Sequence, residues 1–132
     1  MTFVVDASVA AKWVLPETGS ESALALRAEG DLIAPVLISA EVANAAWKYA
    51  RRGELSSADA VTAVRMASGV LARLIPLDEL MQPALEMAIR VRHSVYDCFY
   101  LALATREGAT VVTADQDQFA LARRERIEAR LL

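Results

Sequence analysis

The tightest constraint on this chain is a pair of short, continuously apolar runs, Thr2-Phe3-Val4-Val5 near the start and Thr110-Val111-Val112-Thr113 near the end. Each is too short for a helix and lacks the alternation of a half-exposed strand. Such runs form strands covered on both faces, the signature of a parallel sheet. Segments of helical period separate them. Phe3 to Val5 reads as a strand, and Asp6 caps a helix through Leu15 that Pro16 stops. Residues 19–29 read as an amphipathic helix ended by Gly30. Leu32 to Ala34 is a strand, and Pro35 opens a long helix from Val36 to about Arg52, ended by Gly53. Ser56 or Ser57 caps a helix from Ala58 to Arg73. Leu74 to Leu77 is a strand, followed by a helix from about Leu80 to Val91 with Pro83 in its first turn. Ser94 begins a helix to Glu107 that Gly108 ends; Thr110 to Thr113 is a strand, Gln116 to Arg124 a helix, and Ile127 to Leu131 a final strand. Alternation of strands and helices predicts one α/β domain over 1–132, a central parallel sheet of four or five strands covered on both faces.

Composition agrees. With 132 residues the chain supports one core, and 55% apolar residues exclude a disordered polymer. No window of about 18 residues is free of charge, so a membrane-spanning helix is not expected. A basic segment followed by an apolar stretch is missing from the N-terminus, so no signal peptide is expected either. The single cysteine, Cys98, cannot form an internal disulfide. Its sequence context, Tyr96-Asp97-Cys98-Phe99-Tyr100, reads as core filling, and a cytoplasmic location is expected.

Against this apolar background four acids stand out: Asp6, Glu41, Asp97 and Asp115. Asp6 and Asp115 follow strands, at the carboxyl ends where such sheets open their crevice. Glu41 and Asp97 interrupt apolar helices. An ionised carboxylate loses hydration on burial, and several converging on one point repel each other. A divalent cation relieves both costs, and carboxylate-held Mg²⁺ or Mn²⁺ is a common device for cutting phosphodiesters.

Each acid also has a structural reading. Asp6 suits a helix cap, and Ser8 either suits the same helix start or orients the Asp6 carboxylate or a water. In the helix of Glu41, Ile38, Val42, Ala45 and Tyr49 form one apolar face and Ala40, Ala43, Trp47 and Ala50 another. Between them runs a narrow polar line, Glu41, Asn44 and Lys48. That line faces either water or the crevice, where Glu41 would bind metal, Asn44 would steady it and Lys48 would meet substrate phosphate. Ser94-Val-Tyr-Asp97 matches a capping box, in which the acid bonds back to the cap residue. Asp115 suits a helix cap; Asp117, two residues on, is a further candidate, and Thr113 stands where its hydroxyl can bond a carboxylate or phosphate. His93 is expected to be a solvated residue at a helix start.

The net charge is −3, with 14 Lys and Arg against 17 Asp and Glu. Setting aside the five candidate acids leaves 12, so the remainder is about +2, compatible with a polyanionic substrate. Basic residues gather as Lys48-Arg51-Arg52, Arg90-Arg92 and Arg123-Arg124-Arg126-Arg130. One histidine and one cysteine exclude a zinc set, a Cys-His pair and a Ser-His-Asp triad. A glycine-rich phosphate loop is absent. An aspartyl-phosphate hydrolase beginning at Asp6 would want an acid where Ser8 stands.

Four stretches resemble a known family. Asp6-Ala-Ser-Val-Ala-Ala-Lys12-Trp13-Val-Leu-Pro16-Glu17, Pro35-Val-Leu-Ile-Ser-Ala-Glu41-Val-Ala-Asn44, Tyr96-Asp97-Cys-Phe-Tyr100-Leu-Ala-Leu-Ala and Val112-Thr113-Ala-Asp115-Gln-Asp117-Gln-Phe119 resemble, in order and spacing, the motifs of PIN-domain proteins of the VapC type. These are toxins of type II toxin–antitoxin pairs. The resemblance implies a three-layer α/β/α PIN fold and a Mg²⁺- or Mn²⁺-dependent endoribonuclease. Asp6, Glu41, Asp97 and Asp115 would hold metal, Asp117 would be accessory, and Ser8 and Thr113 would support them. It further implies a structured RNA substrate such as tRNA or rRNA, a cognate VapB-type antitoxin and a homodimer. The alternatives are a PIN-like module that binds RNA or protein without cutting, a PIN nuclease of RNA processing outside a toxin pair, and a phosphatase of small esters.

Overall fold

Phe3, Val4 and Val5 are wholly buried, because the strand they form, β1 (Thr2–Val5), lies at the centre of a five-stranded sheet. The computed structural model describes residues 1–132. Its other strands are β2 (Asp31–Pro35), β3 (Arg73–Ile75), β4 (Thr110–Thr113) and β5 (Ala129–Leu131). Their spatial order is β3-β2-β1-β4-β5, and every neighbouring pair is parallel. The chain thus builds outward from β1 through β2 to β3, then crosses to the other side of β1 for β4 and β5. The reversal falls between β1 and β4, where Val5 lies opposite Val112. Open parallel sheets form their binding crevice at the carboxyl ends of the strands flanking such a reversal.

Seven helices flank the sheet: α1 (Ala7–Val14), α2 (Ser20–Ala25), α3 (Leu37–Arg51), α4 (Ser57–Val70), α5 (Met81–Val91), α6 (Val95–Glu107) and α7 (Gln116–Arg124). Helix α6 lies across β1, β2 and β4 and packs against α5; α1 packs against α2, α3 and α4, and α7 covers β4 and β5. The apolar circumference of α6 follows from its surroundings. Cys98, Phe99, Tyr100, Leu101, Ala102, Leu103 and Ala104 are all buried, which an amphipathic helix on a sheet surface would not allow. Gly108 ends it in a left-handed conformation, φ 61°.

Several boundaries differ from the sequence expectations. Residues 19–29 form no single helix: α2 stops at Ala25 and a 3₁₀ turn, Leu26–Ala28, follows. Helix α4 ends at Val70, so the next strand begins at Arg73, one residue before the expected Leu74. That strand stops at Ile75, since Pro76 has no N–H for the ladder, and Leu77 opens a 3₁₀ turn. The last strand keeps only Ala129–Leu131. On α3 the buried side is Ile38, Val42 and Ala46. Ala40, Ala43 and Trp47, expected as a second apolar face, are exposed, and the Arg51 guanidinium stacks 4.7 Å from the centre of the Trp47 ring.

Candidate active site

Asp6 leaves β1 directly at the reversal, where its backbone N–H donates to the Val112 carbonyl at 3.3 Å. Its side chain caps α1, accepting from the N–H groups of Ser8 at 3.1 Å and Val9 at 3.3 Å. The cap and the active-site candidate are therefore one carboxylate, and the two sequence readings coexist. Two hydroxyls complete its surroundings: Ser8 donates to Oδ1 and Thr113 to Oδ2. Ser8 also accepts from the Ala114 N–H at 2.8 Å, and Thr113 from the Asp115 N–H at 3.0 Å. Ser8 and Thr113 thus stitch the end of β1 to the end of β4, and Thr113 is wholly buried. Asp115 in turn caps α7 by accepting from the Asp117 N–H at 2.8 Å.

Glu41 approaches from α3 and accepts from the Tyr100 hydroxyl of α6. Tyr100 and Asp97 share one side of α6, three residues apart, so Tyr100 stands where the third acid does. Burial, then the charge of Glu41 and the hydrogen bond to it, drive the Tyr100 phenol far above its ordinary range. It remains a proton donor. Tyr100 was not among the sequence candidates, although its spacing from Asp97 is a usable signal.

Asp97 departs from its expected role. The Ser94 hydroxyl accepts from the Tyr96 N–H at 3.3 Å, and no capping box forms. The Asp97 carboxylate turns instead to His93, whose Nε2 lies 2.6 Å from Oδ2. His93, expected to be solvated, is half-buried beside an acid. Gln118, 1% exposed, donates from α7 to the Asp97 carbonyl at 3.1 Å, and its own Oε1 has no partner. No sequence pattern distinguished Gln118 from the other polar residues of α7.

The acids share one electrostatic field. Burial raises the Asp6 carboxyl above its ordinary value; hydrogen bonds from Ser8, Thr113 and Val9 oppose this, and the charge of Asp115 adds to it. Burial also raises Glu41, opposed by Tyr100 and reinforced by the charges of Asp97 and Asp6. Four elements therefore place the acids in a chain of repulsion, Asp115 acting on Asp6, and Asp6 and Asp97 on Glu41. No three acid, histidine or cysteine side chains form a ready metal cage. All four acids are turned onto donors of the protein itself: Asp6 onto two hydroxyls, Glu41 onto Tyr100, Asp97 onto His93 and Asp115 onto the Asp117 N–H. The chemistry of the set fits a hard divalent cation. All its ligands are oxygens, their burial is uncompensated by any cationic side chain bonded to Asp6 or Glu41, and Mg²⁺ needs only one or two carboxylates beside its waters. Asp117 is exposed and lines a separate cavity of about 330 Å³ with His93 and Arg124.

A cleft of about 630 Å³ opens beside Glu41 between α1 and α3. Asn44 and Lys48 line it with Glu41, so the narrow polar line of α3 faces the cleft. Tyr49, Arg52 and Tyr96 also line it, none of them a sequence candidate for the site. Lys48 takes part in no ion pair, whereas Arg90 and Arg130 of the other basic groups bind Glu125 and Glu29. Cys98 is fully buried, and burial, with the charge of Asp97, pushes its thiol up to about 11. A thiolate nucleophile is excluded there at neutral pH.

Residues 3–124 match the PIN domain family. The chain belongs to that family. This PIN domain is 34% identical over 119 residues to Ribonuclease VapC3 of Pyrobaculum aerophilum, an alignment covering 88% of this chain and 91% of that protein. Its fold resembles VapBC2 from Rickettsia felis bound to a promoter DNA fragment, with a TM-score of 0.71, 13% identity, and coverage of 100% of this chain and 99% of that one. It also resembles FitAcB from Neisseria gonorrhoeae, with a TM-score of 0.67, 17% identity, and coverage of 96% and 95%. The five-stranded parallel sheet and its flanking helices bear out the expected PIN-like fold. No helix is long and apolar enough to cross a membrane.

The raised carboxyls carry a pH prediction. A group whose folded pKa lies above its unfolded value favours the folded state at low pH. For Asp6 and Glu41 that contribution is complete below their ordinary values of 3.8 and 4.5, and it is lost as pH rises through the higher folded values. Metal-free protein is therefore expected to lose stability from these two groups as pH rises above about 4. Denaturant melts of the parent and of an Asp6→Asn, Glu41→Gln double variant across that range check this. Parallel pH profiles for the two proteins would refute it.

Proposed function

We propose that this PIN domain is a Mg²⁺- or Mn²⁺-dependent endoribonuclease, the toxin of a toxin–antitoxin pair, and that it cuts structured RNA of the tRNA or rRNA kind. The observation that carries the proposal is the meeting of Asp6, Glu41, Asp97 and Asp115 at the sheet reversal, beside an open cleft. Similarity to Ribonuclease VapC3 supports the activity, and the likeness to VapBC2 and FitAcB supports the fold that carries it.

Asp6, Glu41, Asp97 and Asp115 would hold the ion; Asp117, exposed in a separate cavity, takes no part. When bound, the cation supplies Lewis acidity for activating water and positive charge opposite the scissile phosphate. Ser8 and Thr113 hold the Asp6 carboxylate in one orientation through both its oxygens. Tyr100 does the same for Glu41 from a site sealed against solvent. Lys48 would neutralise a phosphate entering along the cleft, and Asn44 would bond RNA or steady Glu41. Water rather than a ribose hydroxyl is the proposed nucleophile, so the expected products carry 5′-phosphate and 3′-hydroxyl ends. A cognate VapB-type antitoxin would silence the enzyme. Pairing with a second copy is part of the same proposal. The exposed Met81, Leu85 and Ile89, one turn apart on α5, offer apolar surface for it, and light scattering at micromolar concentration reads the mass.

The deciding experiment incubates purified protein with total cellular RNA in Mg²⁺, Mn²⁺ or EDTA, beside Asp97→Asn. Discrete fragments that require metal and vanish in the variant are expected. Fragments of unchanged pattern in EDTA or in Asp97→Asn would refute the mechanism. A folded protein that binds RNA without cutting under any metal would instead favour the non-catalytic module.

A further inference from the structure

The Asp97 carboxylate is immobilised by residues outside the set of acids, and their placement is specific. Helix α5 ends at Arg92, which adopts a left-handed conformation, φ 55°, uncommon for a residue with a Cβ. That turn is pinned by the His93 N–H, which donates to the Ala88 carbonyl at 3.1 Å. The imidazole therefore leaves the chain from a defined point just before α6. Its Nε2 lies 2.6 Å from Asp97 Oδ2; a carboxylate only accepts, so the imidazole is the donor, and Oδ1 has no protein donor. On the main-chain side, Gln118 donates to the Asp97 carbonyl at 3.1 Å. The backbone of Asp97 is thus tied to α7 and its side chain to the α5–α6 turn.

Local helix stability does not account for the pair. Ser94 already caps α6 through its bond from Tyr96. A His–Asp contact left about one-third exposed adds little to folding. What the contact does accomplish is to hold one carboxylate oxygen and present the other.

We infer that His93 is a positioning residue for Asp97: its hydrogen bond to Oδ2 orders the carboxylate in advance, leaves Oδ1 for the cation, and so sets the affinity of the site for Mg²⁺ or Mn²⁺. The inference rests on the proposed role of Asp97 as a metal-binding acid. Groups that hydrogen-bond metal ligands from behind typically contribute 10- to 100-fold in metal affinity or activity. His93 does so without touching ion or substrate. Its loss weakens binding of the ion rather than the chemistry that follows, so excess metal restores the rate.

The test uses full-length protein and Mn²⁺ alone as the probe, with binding followed by calorimetry. His93→Ala is expected to weaken Mn²⁺ binding roughly 10-fold or more. His93→Gln, which can return an N–H to nearly the same point, recovers most of the loss. In RNA cleavage, His93→Ala shifts the half-activating Mn²⁺ concentration by a similar factor and leaves the rate at saturating Mn²⁺ within about 2-fold of the parent. His93→Leu keeps the bulk and removes the donor, and it replaces the alanine variant if that one unfolds. Asp97→Asn separates the two levels. If it loses Mn²⁺ binding while His93→Ala and His93→Leu keep the parental affinity, the inference fails and the acid site stands. A lower melting temperature with unchanged Mn²⁺ affinity likewise overturns it, since that is a purely structural role. If Asp97→Asn itself binds Mn²⁺ as the parent does, the assignment of Asp97 fails, and the role of His93 with it.

Discussion

Asp6→Asn is expected to lower metal-dependent RNA cleavage by at least about 10³-fold, equivalent to about 4 kcal/mol of transition-state stabilisation, and to leave the metal-free fold at least as stable as the parent. The two effects separate because Asp6 does two jobs. As the cap of α1 it needs only an acceptor for the Ser8 and Val9 N–H groups, and asparagine caps as well as aspartate. The Thr113 hydroxyl can rotate to accept from the new amide. As a charged group it is buried at an energetic cost, shown by the upward push on its carboxyl, and asparagine removes that cost. Cation binding has the opposite requirement. At a metal concentration 100 times its Kd the parent gains about 2.7 kcal/mol of stability, and the variant gains little. Thermal melts with and without Mn²⁺, run beside the cleavage assay, read all three consequences. A variant that unfolds in the absence of metal, or one that cleaves RNA at the parental rate, contradicts this account.

Leu101→Ala is expected to cost about 2–5 kcal/mol of stability. Leu101 is wholly buried in α6, and the helix is enclosed along seven consecutive residues. The surroundings have little room to collapse into the cavity. Small domains are stable by roughly 5–15 kcal/mol in all, so the melting temperature should fall by on the order of 10 °C. The activity consequence is indirect. Helix α6 carries Asp97 and Tyr100, the latter bonded to Glu41, so a loosened α6 misplaces two of the four acids together. A fall of less than about 1 kcal/mol in chemical denaturation would show that α6 is not packed as described.

The element order was legible because each element obeys a local rule. Phe3-Val4-Val5 is apolar on both faces, Pro16 and Gly108 end helices by their backbone constraints, and Ser56 caps α4 with a side-chain bond to Asp59. Where no such rule applied, the boundaries slipped. Nothing local marks Ala25 as the end of α2, whereas the expected strand Leu74 to Leu77 ran past a local stop, Pro76, at which the ladder ends.

The acids show the same division. Their positions after strands and within apolar helices were readable from hydrophobic pattern alone. The company they keep was readable only in part. Ser8 and Thr113 were expected to support the acids, and both bond Asp6, Thr113 across 107 positions; Tyr100, which reaches Glu41 across 59, was not foreseen. Periodicity also suggested the wrong partner for Asp97, because a capping box and an i,i+4 contact with His93 compete for the same carboxylate. The local pattern does not say which wins; the left-handed turn at Arg92 brings the imidazole within reach and decides it.

By itself, then, the sequence determined the strand–helix alternation, the parallel sheet and the four acids. These depend on burial and backbone preference, which neighbouring residues set. Only the tertiary structure decided the strand order β3-β2-β1-β4-β5, and with it the reversal between β1 and β4 that brings Asp6 beside Thr113 and Asp115. Strand order depends on how remote apolar faces pack together, a choice that no short stretch of chain encodes.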